Sequence, residues 1–369
     1  EQIPCWITYT NERIHRLIRD NLHRAPLYTG QIKSVGPRYC PSIETKILRF
    51  ADKDKHQVFL EPEDEARTTI YCNGISTSLP KDVQQEMLRL MSGTERARIV
   101  HYAYAIEYDY CPPVQLQPSL ETRKIAGLFL AGQINGTSGY EEAAGQGILA
   151  GINAARKLQG KEPLVLGRDQ AYIGVMIDDL LTRGIDEPYR MFTSRAEHRL
   201  ALRSDNADRR LTPIGMDVGL VQADRRQRFQ NKIEAMTRLR IRLEGTRVEG
   251  VSLWDLLRRP DGLAYDTLRT THDEFAACSR EVLETLAIDA KYEGYLAKQQ
   301  RLAEVQRDLD TKRIPADLDY ERIEHLRAEA KEKLTAFRPS TLGHASRLSG
   351  ITPADITVLQ VYLKRANRR

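Results

Sequence analysis

The sequence predicts an α/β (α+β) fold followed by a mostly helical C-terminal domain. In the first 165 residues, short β-prone runs alternate with helical patterns, whereas from Gln222 onward apolar residues recur almost only at helical spacing. The 369 residues include 41% hydrophobic and 29% charged residues, which fits a soluble globular protein of two or three domains. Because no run approaches eighteen apolar residues, no ordinary transmembrane helix is predicted.

The first 165 residues carry the mixed pattern. Strands are predicted at Pro4–Thr10, Val58–Leu60 and Thr68–Tyr71, and helices at Asn11–Asn21 and Lys81–Met91. The prolines of residues 110–118 predict a linker, because proline continues neither a helix nor a central strand. Gly127–Gly132 is interpreted as a short buried strand, and Tyr140–Leu158 as a helix whose small residues pack on a sheet, with a second linker at Lys161–Gly167.

The C-terminal third has helical spacing throughout. Three apolar stripes are predicted to form a helical core: Tyr295, Leu302, Val305 and Leu309; Ile323, Leu326, Ala330 and Leu334; and Ile356, Leu359 and Leu363. Thr352 followed by Pro353 is typical of a helix start, with threonine as the N-cap. Gly350 is interpreted either as a helix C-cap or as part of a helix–hairpin–helix turn that meets a phosphate.

Glycines are concentrated between the predicted strand and the helix that follows it. Gly132, Gly136 and Gly139 let the backbone approach a ligand closely and adopt a positive φ. The free N–H groups of the helix N-terminus favour an anion or an electron-rich ring edge. The segment therefore predicts a nucleotide-cofactor site, and a glycine-rich crossover without a ligand is the alternative.

Cys40 is the candidate reactive residue. It lies between Pro37 and Pro41, and the nearby cations Arg38 and Lys46 favour the thiolate, which is the nucleophilic form. The alternative role is that of a small core residue. The other four cysteines are interpreted as structural, and no Cys or His spacing typical of a metal site occurs in the sequence. A reducing compartment is therefore expected.

Arginines dominate two stretches. Between Arg183 and Arg210 there are seven arginines and five acidic residues, and between Val221 and Gly250 there are eight basic and four acidic residues. Because the guanidinium group suits phosphate, these stretches indicate contact with a polyanion, which the net charge of +5 permits. A solvated helix face with internal salt bridges is the alternative. His198 is a candidate proton donor or a structural histidine.

Several sequence blocks carry a family resemblance. One is AGQINGTSGYEEAAGQGILAGINAA at 131–155. The others are VGPRYCPSIETKILRF (35–50), FLEPE (59–63), NGISTSLP (73–80), YAIEYD (104–109), PYRMFTSRAEHRLALRSDNADRRLTPIG (188–215), KYEGYL (291–296), IPADLDY (314–320) and SGITPADITVLQVYL (349–363). In content and order these blocks resemble the GidA/MnmG family, FAD-dependent enzymes that modify the wobble uridine of certain tRNAs.

The resemblance implies an activity with its cofactors and partners. Family members add a (carboxymethyl)aminomethyl group at carbon 5 of uridine 34, with FAD, NADH and methylene-tetrahydrofolate as the carbon donor. They act on tRNA together with the MnmE GTPase. The resemblance also implies a homodimer, which forms a heterotetramer with the GTPase. A cytoplasmic protein without a membrane partner is implied.

The resemblance also implies site residues. Cys40 is the implied catalytic residue, and no metal site is implied. The flavin contacts are carried over to Gln133, Ile134, Asn135, Gly136, Thr137 and Gly139. The NAD(H) contacts are carried over to Gly36, Pro37, Arg38, Tyr39, Ser42 and Glu44, and the tRNA contacts to Arg190, Arg195 and Arg199. Glu44 is a candidate general base if it is buried, or an ion-pair partner.

The implied fold is a partial FAD-binding domain with an inserted NAD-binding-like subdomain, before the helical domain. The predicted divisions are 1–112 for the inserted subdomain, 113–165 for the C-terminal part of the FAD-binding domain, 166–290 for a basic linker region and 291–369 for the helical domain that binds tRNA and the partner. The family's N-terminal strand–GxGxxG–helix is absent from the sequence. We therefore expect the C-terminal portion of a member, incomplete for catalysis. The alternatives are a non-catalytic module that binds tRNA and the GTPase, and a general NAD(P)H-dependent flavoprotein.

Overall fold

The computed structural model describes residues 2–32, 42–182, 188–260, 264–271 and 273–366. The chain divides into two compact units. Unit 1 comprises Glu1–Cys111, Gly136–Ser138 and Asp186–Tyr189, and unit 2 comprises Pro112–Asn135, Gly139–Ile185 and Arg190–Arg369. Among the described helices, none combines the length and the apolar character that crossing a bilayer requires.

Unit 1 is a three-stranded antiparallel sheet packed with three helices. The strands are β1 (Trp6–Tyr9), β2 (Gln57–Pro62) and β3 (Ile70–Asn73), in the order β1-β2-β3. The helices are α1 (Glu12–Asn21), α2 (Ile43–Arg49) and α3 (Lys81–Arg89). Thr8 pairs with Val58, and Leu60 pairs with Cys72. The strands and helices predicted for this region are confirmed, with ends shifted by a few residues, and α2 is the element that the sequence analysis did not predict.

The core of unit 1 follows from helical spacing. Ile14 and Ile18, one turn apart on α1, are fully buried together with Val58, and Val83 and Met87 of α3 are nearly so. Burial of each such side chain contributes about 1.5–3 kcal/mol, and this holds the helices on the sheet. The asparagine that precedes α1 caps this helix, because its side-chain oxygen accepts a backbone N–H of the first turn at 3.1 Å.

Unit 2 is built from helices. In chain order they are α4 (Tyr140–Leu158), α5 (Tyr172–Thr182), α6 (Ala207–Asp217), α7 (Ala223–Gly245), α8 (Leu253–Arg258), α9 (Tyr265–Thr271), α10 (Asp273–Ala276), α11 (Arg280–Thr311), α12 (Ala328–Phe337), α13 (Leu342–Ser346) and α14 (Pro353–Ala366). A short hairpin lies between α7 and α8, and its strands, β4 (Arg247–Val248) and β5 (Val251–Ser252), have two residues each. The helical character predicted from Gln222 onward is confirmed.

The C-terminal helices enclose two separate apolar cores. The first contains Met236, Leu243, Trp254, Leu257, Phe275, Leu283 and Leu286. The second contains Tyr320, Ile323, Leu334, Leu342, Leu359 and Leu363. The stripes predicted at 323–334 and 356–363 are confirmed in the second core. Thr352 caps α14 as predicted, because its hydroxyl oxygen accepts the backbone N–H of Asp355 at 3.4 Å while the Asp355 carboxylate accepts the N–H of Thr352 at 2.8 Å.

The predicted stripe that begins at Tyr295 is wrong. Tyr295, Leu302 and Val305 are 65%, 61% and 66% exposed, and within this stripe Leu309 alone packs against the second core. The reason is the length of α11, whose 32 residues extend about 48 Å. The first third of α11 packs into the first core, and its end reaches the second core. The face of α11 that carries Tyr295, Leu302 and Val305 lies between them and contacts neither core.

Two further expectations around α4 are also wrong. Gly127–Gly132 is not a buried strand: Leu128 is 40% exposed, and the run pairs locally, with Thr122 donating to Leu128 at 2.8 Å and Leu130 donating to Leu120 at 3.1 Å. The turn at Gly127, where φ is +83°, folds this run back on the residues before it.

Among the described residues, no sheet packs against the small residues of α4. Gly147 and Gly151 have open space where a Cβ would stand. Gly145 instead lets α4 approach α5, because a Cβ there would lie 3.3 Å from both Ile173 and Met176. The small residues therefore serve a helix–helix contact at one position and leave another face of α4 uncovered by the described residues.

Two histidine rings lie against each other in unit 1, His15 buried and His56 partly buried. The ring centroids of His15 and His56 are 5.3 Å apart. The Thr10 hydroxyl accepts the backbone N–H of His56 at 2.8 Å and forms a second hydrogen bond with His15 Nε2, also at 2.8 Å, so it connects the two histidines. Burial lowers the pKa of both rings; His56 and Arg19 lower that of His15 further, and Lys46 lowers that of His56.

We predict that unit 1 loses stability as pH falls through about 6.5. Both histidines titrate near 6.5 in the unfolded chain and lower in the folded one, so the unfolded chain binds more protons in acid. The urea concentration at the unfolding midpoint, followed by hydrogen exchange in α1 and β2, should decrease when the pH is lowered from 7.5 to 5.5 (roughly one unit either side of that value). The double variant His15→Gln, His56→Gln should lose less, whereas the exposed control His101→Gln should behave as the parent. Equal acid sensitivity in the double variant would contradict this account.

Candidate cofactor and substrate site

One glutamine holds the glycine-rich turn against α4. Gln146 is fully buried, and its Oε1 accepts the N–H of Gly132 at 2.9 Å and the side-chain amide of Asn135 at 3.0 Å. The Asn135 amide also donates to the carbonyl of Leu130 at 2.7 Å. Because both amide side chains are inaccessible to water, these bonds fix the direction of the turn Gly132–Asn135.

Two oxygens beside this turn and at the start of α4 lack donors. Asn135 Oδ1 and Glu142 Oε2 are buried without a hydrogen-bond partner among the described residues. An unsatisfied buried acceptor costs about 1–3 kcal/mol, so each calls for a donor. A side chain at Gly139, the N-cap, would displace the Glu142 carboxylate, because a Cβ there would overlap Glu142 Oε2 and lie 3.3 Å from the Arg190 guanidinium. These features fit a planar cofactor whose ring carries N–H donors, placed at the N-terminus of α4.

The predicted flavin residues fall in both units. Those in unit 2 are Gln133, Ile134, Asn135 and Gly139. Gly136 and Thr137 belong to unit 1, where Gly136 has a φ of +84° and accepts the backbone N–H of Tyr189 at 2.8 Å. Thr137 is almost fully buried, and the neighbouring Ser138 Oγ is buried without a partner among the described residues. Within unit 2 the structure thus places Asn135 beside the start of α4.

Most of the predicted NAD(H) site lies outside the described residues. Those residues are Gly36, Pro37, Arg38, Tyr39 and the candidate catalytic Cys40. Ser42 caps α2, since its hydroxyl accepts a backbone N–H at 3.3 Å. Of the other cysteines, burial raises the pKa of the Cys72 thiol, which supports its structural interpretation.

Glu44, the last predicted NAD(H) residue, is completely buried. Its Oε1 accepts hydrogen bonds from the Thr77 hydroxyl and the Ser78 N–H, both at 2.8 Å. Its Oε2 has no partner among the described residues, and no cation pairs with the carboxylate there. Glu44 therefore ties α2 to the NGISTSLP turn, in place of the expected ion pair.

The arginine-rich segment is attached to the first turn of α4. Glu142 Oε1 accepts the backbone N–H of Met191 at 2.9 Å and lies 3.4 Å from Arg190 Nε. Glu142 is nearly inaccessible to water, whereas Arg190 is 40% exposed. One carboxylate thus anchors both the backbone and a cation of this segment.

The other predicted tRNA contacts are held to different degrees. Arg195 Nε donates to the carbonyl of Arg190 at 3.1 Å, and its Nη1 lies 3.7 Å from the Asp179 carboxylate. Arg199 is exposed. His198 is buried, which places it in the interior of unit 2. Within the described residues, no group of three or more His, Cys, Asp and Glu side chains could hold a metal ion.

Arg168 is a buried residue that the sequence analysis missed. Its guanidinium donates to Glu197 and Asp179 at 2.8 Å and to the carbonyl of Arg195 at 2.9 Å. Burial opposes its charge, but the carboxylates outweigh burial and raise the pKa of Arg168, while Arg168 outweighs burial in lowering the pKa of Glu197. The signal in the sequence was the pair Asp178 and Asp179 in an otherwise apolar helix, because buried carboxylates need a cation.

Three family models match this chain. Residues 1–162 match the model described as glucose inhibited division protein A. Residues 223–300 match the C-terminal helical domain of the tRNA modifying enzyme MnmG/GidA, and residues 301–369 match its C-terminal helical bundle.

Individual relatives agree with these models. The tRNA uridine 5-carboxymethylaminomethyl modification enzyme MnmG of Heliobacterium modesticaldum is 53% identical over 391 residues, covering all of this chain and 61% of that protein. The protein of the same name from Lachnoclostridium phytofermentans is also 53% identical, with 62% of its length covered. A crystal structure of Aquifex aeolicus GidA matches with a TM-score of 0.80 and 47% identity, over 98% of this chain and 59% of that one. The chain thus spans about three fifths of the length of the curated relatives that it matches.

We predict that Gln146→Leu lowers the free energy of unfolding of unit 2 by about 1–3 kcal/mol, because it leaves two buried donors without an acceptor. Denaturant unfolding measures this change. The matched control is Gln300→Leu, an exposed position on α11, which should change stability by less than about 0.5 kcal/mol. Equal effects of the two substitutions would show that the glutamine does not hold the turn.

Proposed function

The chain belongs to the GidA/MnmG family of tRNA-modifying enzymes, and we propose that it takes part in the FAD-dependent addition of a (carboxymethyl)aminomethyl group to carbon 5 of the wobble uridine. The activity is proposed for the intact protein that contains this chain. The observation that carries the proposal is the start of α4, where buried acceptors without donors meet an N-cap glycine at which a side chain would displace the Glu142 carboxylate.

The flavin would be held by the loop from Gln133 to Gly139. Asn135 Oδ1 supplies an acceptor for a ring N–H, and its amide is already committed to Gln146 and a carbonyl, which fixes the direction of that acceptor. The free N–H groups at the N-terminus of α4 stabilise an electron-rich ring edge. When bound, FAD supplies the redox chemistry of the transfer. Gly136 and Thr137 belong to the same loop and are proposed as its remaining flavin contacts.

NADH and the carbon donor complete the proposed chemistry. We assign NADH to the segment from Gly36 to Glu44, with Cys40 as a nucleophile toward the uracil ring and methylene-tetrahydrofolate as the co-substrate. The burial of Glu44 supports a positioning role, because it holds α2 on the turn at Thr77 and Ser78. Ser42, which caps α2, belongs to the same support.

The tRNA and the protein partner are assigned to unit 2. The proposed tRNA contacts are Arg190, Arg195 and Arg199, in a cytoplasmic homodimer. We assign the MnmE GTPase to the C-terminal bundle, as a heterotetramer with that homodimer. On α14, Leu359 is buried in the second core, while Val361 is 45% exposed and Lys364 is exposed, so one side of this helix is open to a partner.

A second function is a tRNA- and GTPase-binding module without catalysis. The observation in its favour is α7, which exposes a run of arginines, among them Arg225, Arg226 and Arg238. Such a helix suits a phosphate backbone without any cofactor. The flavin content of the purified protein separates the two functions. Flavin without RNA binding would instead favour a general NAD(P)H-dependent flavoprotein.

We predict that Gly136→Ala abolishes flavin retention in the intact protein, because Gly136 is a proposed flavin contact whose lack of a side chain would let the ring approach the backbone closely. Flavin absorbance per mole of purified protein measures the effect. The matched control is Gly127→Ala: its φ of +83° is nearly the +84° of Gly136, so both variants carry the same backbone strain. Undiminished flavin in Gly136→Ala, or equal loss in both variants, would refute the assignment of this loop.

We also predict that Cys40→Ser keeps the fold and the flavin but loses most of the tRNA modification. A serine hydroxyl is a far weaker nucleophile than a thiolate at neutral pH. The control is Cys72→Ser in the same protein, since burial raises the pKa of that thiol and the proposed chemistry does not use it. Modification by Cys40→Ser at the parent rate would make Cys40 a structural residue.

A further inference from the structure

One aromatic side chain in the arginine-rich segment is exposed beside the proposed cofactor loop. Phe192 is 51% exposed, and the guanidinium carbon of Arg195 lies over its ring, 5.9 Å from the centroid. With about half of the residue exposed, part of the ring surface remains open to solvent. An exposed ring by itself is ordinary, so its surroundings decide what it can do.

The backbone around Phe192 is fixed on both sides. On one side, Met191 donates to Glu142 at 2.9 Å. On the other, Arg195 donates its N–H to the Phe192 carbonyl at 3.0 Å and its Nε to the Arg190 carbonyl at 3.1 Å. The ring is therefore presented by a closed, hydrogen-bonded loop. A preformed platform of this kind loses little conformational entropy when a ligand stacks on it.

The position and charge of the platform indicate its ligand. Glu142 lies in the first turn of α4, the helix that begins directly after Gly139. The loop that carries Phe192 is therefore anchored where the cofactor is proposed to bind. Arg190 and Arg195 pair with carboxylates but remain 40% and 27% exposed, so each side chain also reaches the surface, where a polyanion can contact it. An aromatic face among arginines is the chemistry that binds an unstacked nucleobase of RNA.

We propose that Phe192, backed by Arg195, is the platform on which the target uracil of the tRNA stacks. This inference rests on the proposed function. A base must leave the stacked anticodon to reach a reactive site, and stacking on an aromatic ring replaces the contacts that it loses. Phe192 is thereby a substrate-positioning residue, distinct from the arginines, which contact the phosphate backbone.

The test is a double-mutant cycle between Phe192 and the base. The intact, flavin-loaded protein is titrated with two anticodon stem–loop RNAs that differ only in carrying uridine or an abasic site at position 34. The parent should bind the uridine loop about tenfold more tightly. Phe192→Leu should lose this preference without weaker binding of the abasic loop, while Phe192→Tyr should keep it. The control is Tyr295→Leu, which removes a similarly exposed ring from α11 and should leave the preference unchanged.

The outcomes separate this inference from the proposed function. If the parent holds flavin and modifies tRNA but Phe192→Leu keeps the tenfold preference, the platform is wrong and the proposed function stands. A parent that does not distinguish the two loops also overturns the platform. If the parent prefers uridine through Phe192 but never modifies tRNA, the proposed catalysis fails while the platform stands. Flavin content equal to that of the parent shows that Phe192→Leu is folded.

Discussion

The buried guanidinium of Arg168 sets the arrangement of unit 2. It binds Asp178 and Asp179 of α5 and the carbonyl of Arg195 in the arginine-rich segment. Asp178 is shared with Arg347, which follows α13 and also binds Asp310 of α11. Removing one partner of such a buried network leaves an uncompensated charge, at a cost of about 3–5 kcal/mol. The arginine-rich segment, α5 and the C-terminal helices are therefore positioned together by one set of charges.

This constraint changes the meaning of the arginine count. Several of the arginines that suggested an RNA-binding surface hold carboxylates of unit 2, and they are Arg190 with Glu142, Arg195 with Asp179, Arg203 with Asp205 and Asp289, and Arg209 with Asp289. The charge of these arginines therefore mainly neutralises carboxylates within the fold. The interpretation as internal salt bridges therefore holds for these side chains, while their contact with a polyanion stays a prediction. The proposed recognition of a nucleobase then depends less on net charge than on the side chains that the ordered segment exposes.

The sequence could predict what depends on local spacing and capping. The helices at Lys81–Arg89 and Tyr140–Leu158 follow from apolar periodicity and small residues, and the start of α14 from its cap. It could not predict contacts made across long stretches of chain. Gln146 is one polar residue among small ones until the fold brings it to Asn135. The exposed stripe at Tyr295 fails for the same reason, because periodicity shows which residues share a helix face but not whether another element covers it.

Glu142 couples the two halves of the candidate site. Its Oε1 holds the backbone of Met191, and its Oε2 stands against Gly139 without a donor among the described residues. A donor on a bound cofactor ring that reached Oε2 would engage the same carboxylate that anchors the segment carrying Phe192. Were cofactor binding and the ordering of this segment coupled through the carboxylate, each would favour the other by the same coupling free energy, because linkage between two sites is reciprocal. If the cofactor and the base bind as proposed, the start of α4 is the place where the two depend on each other.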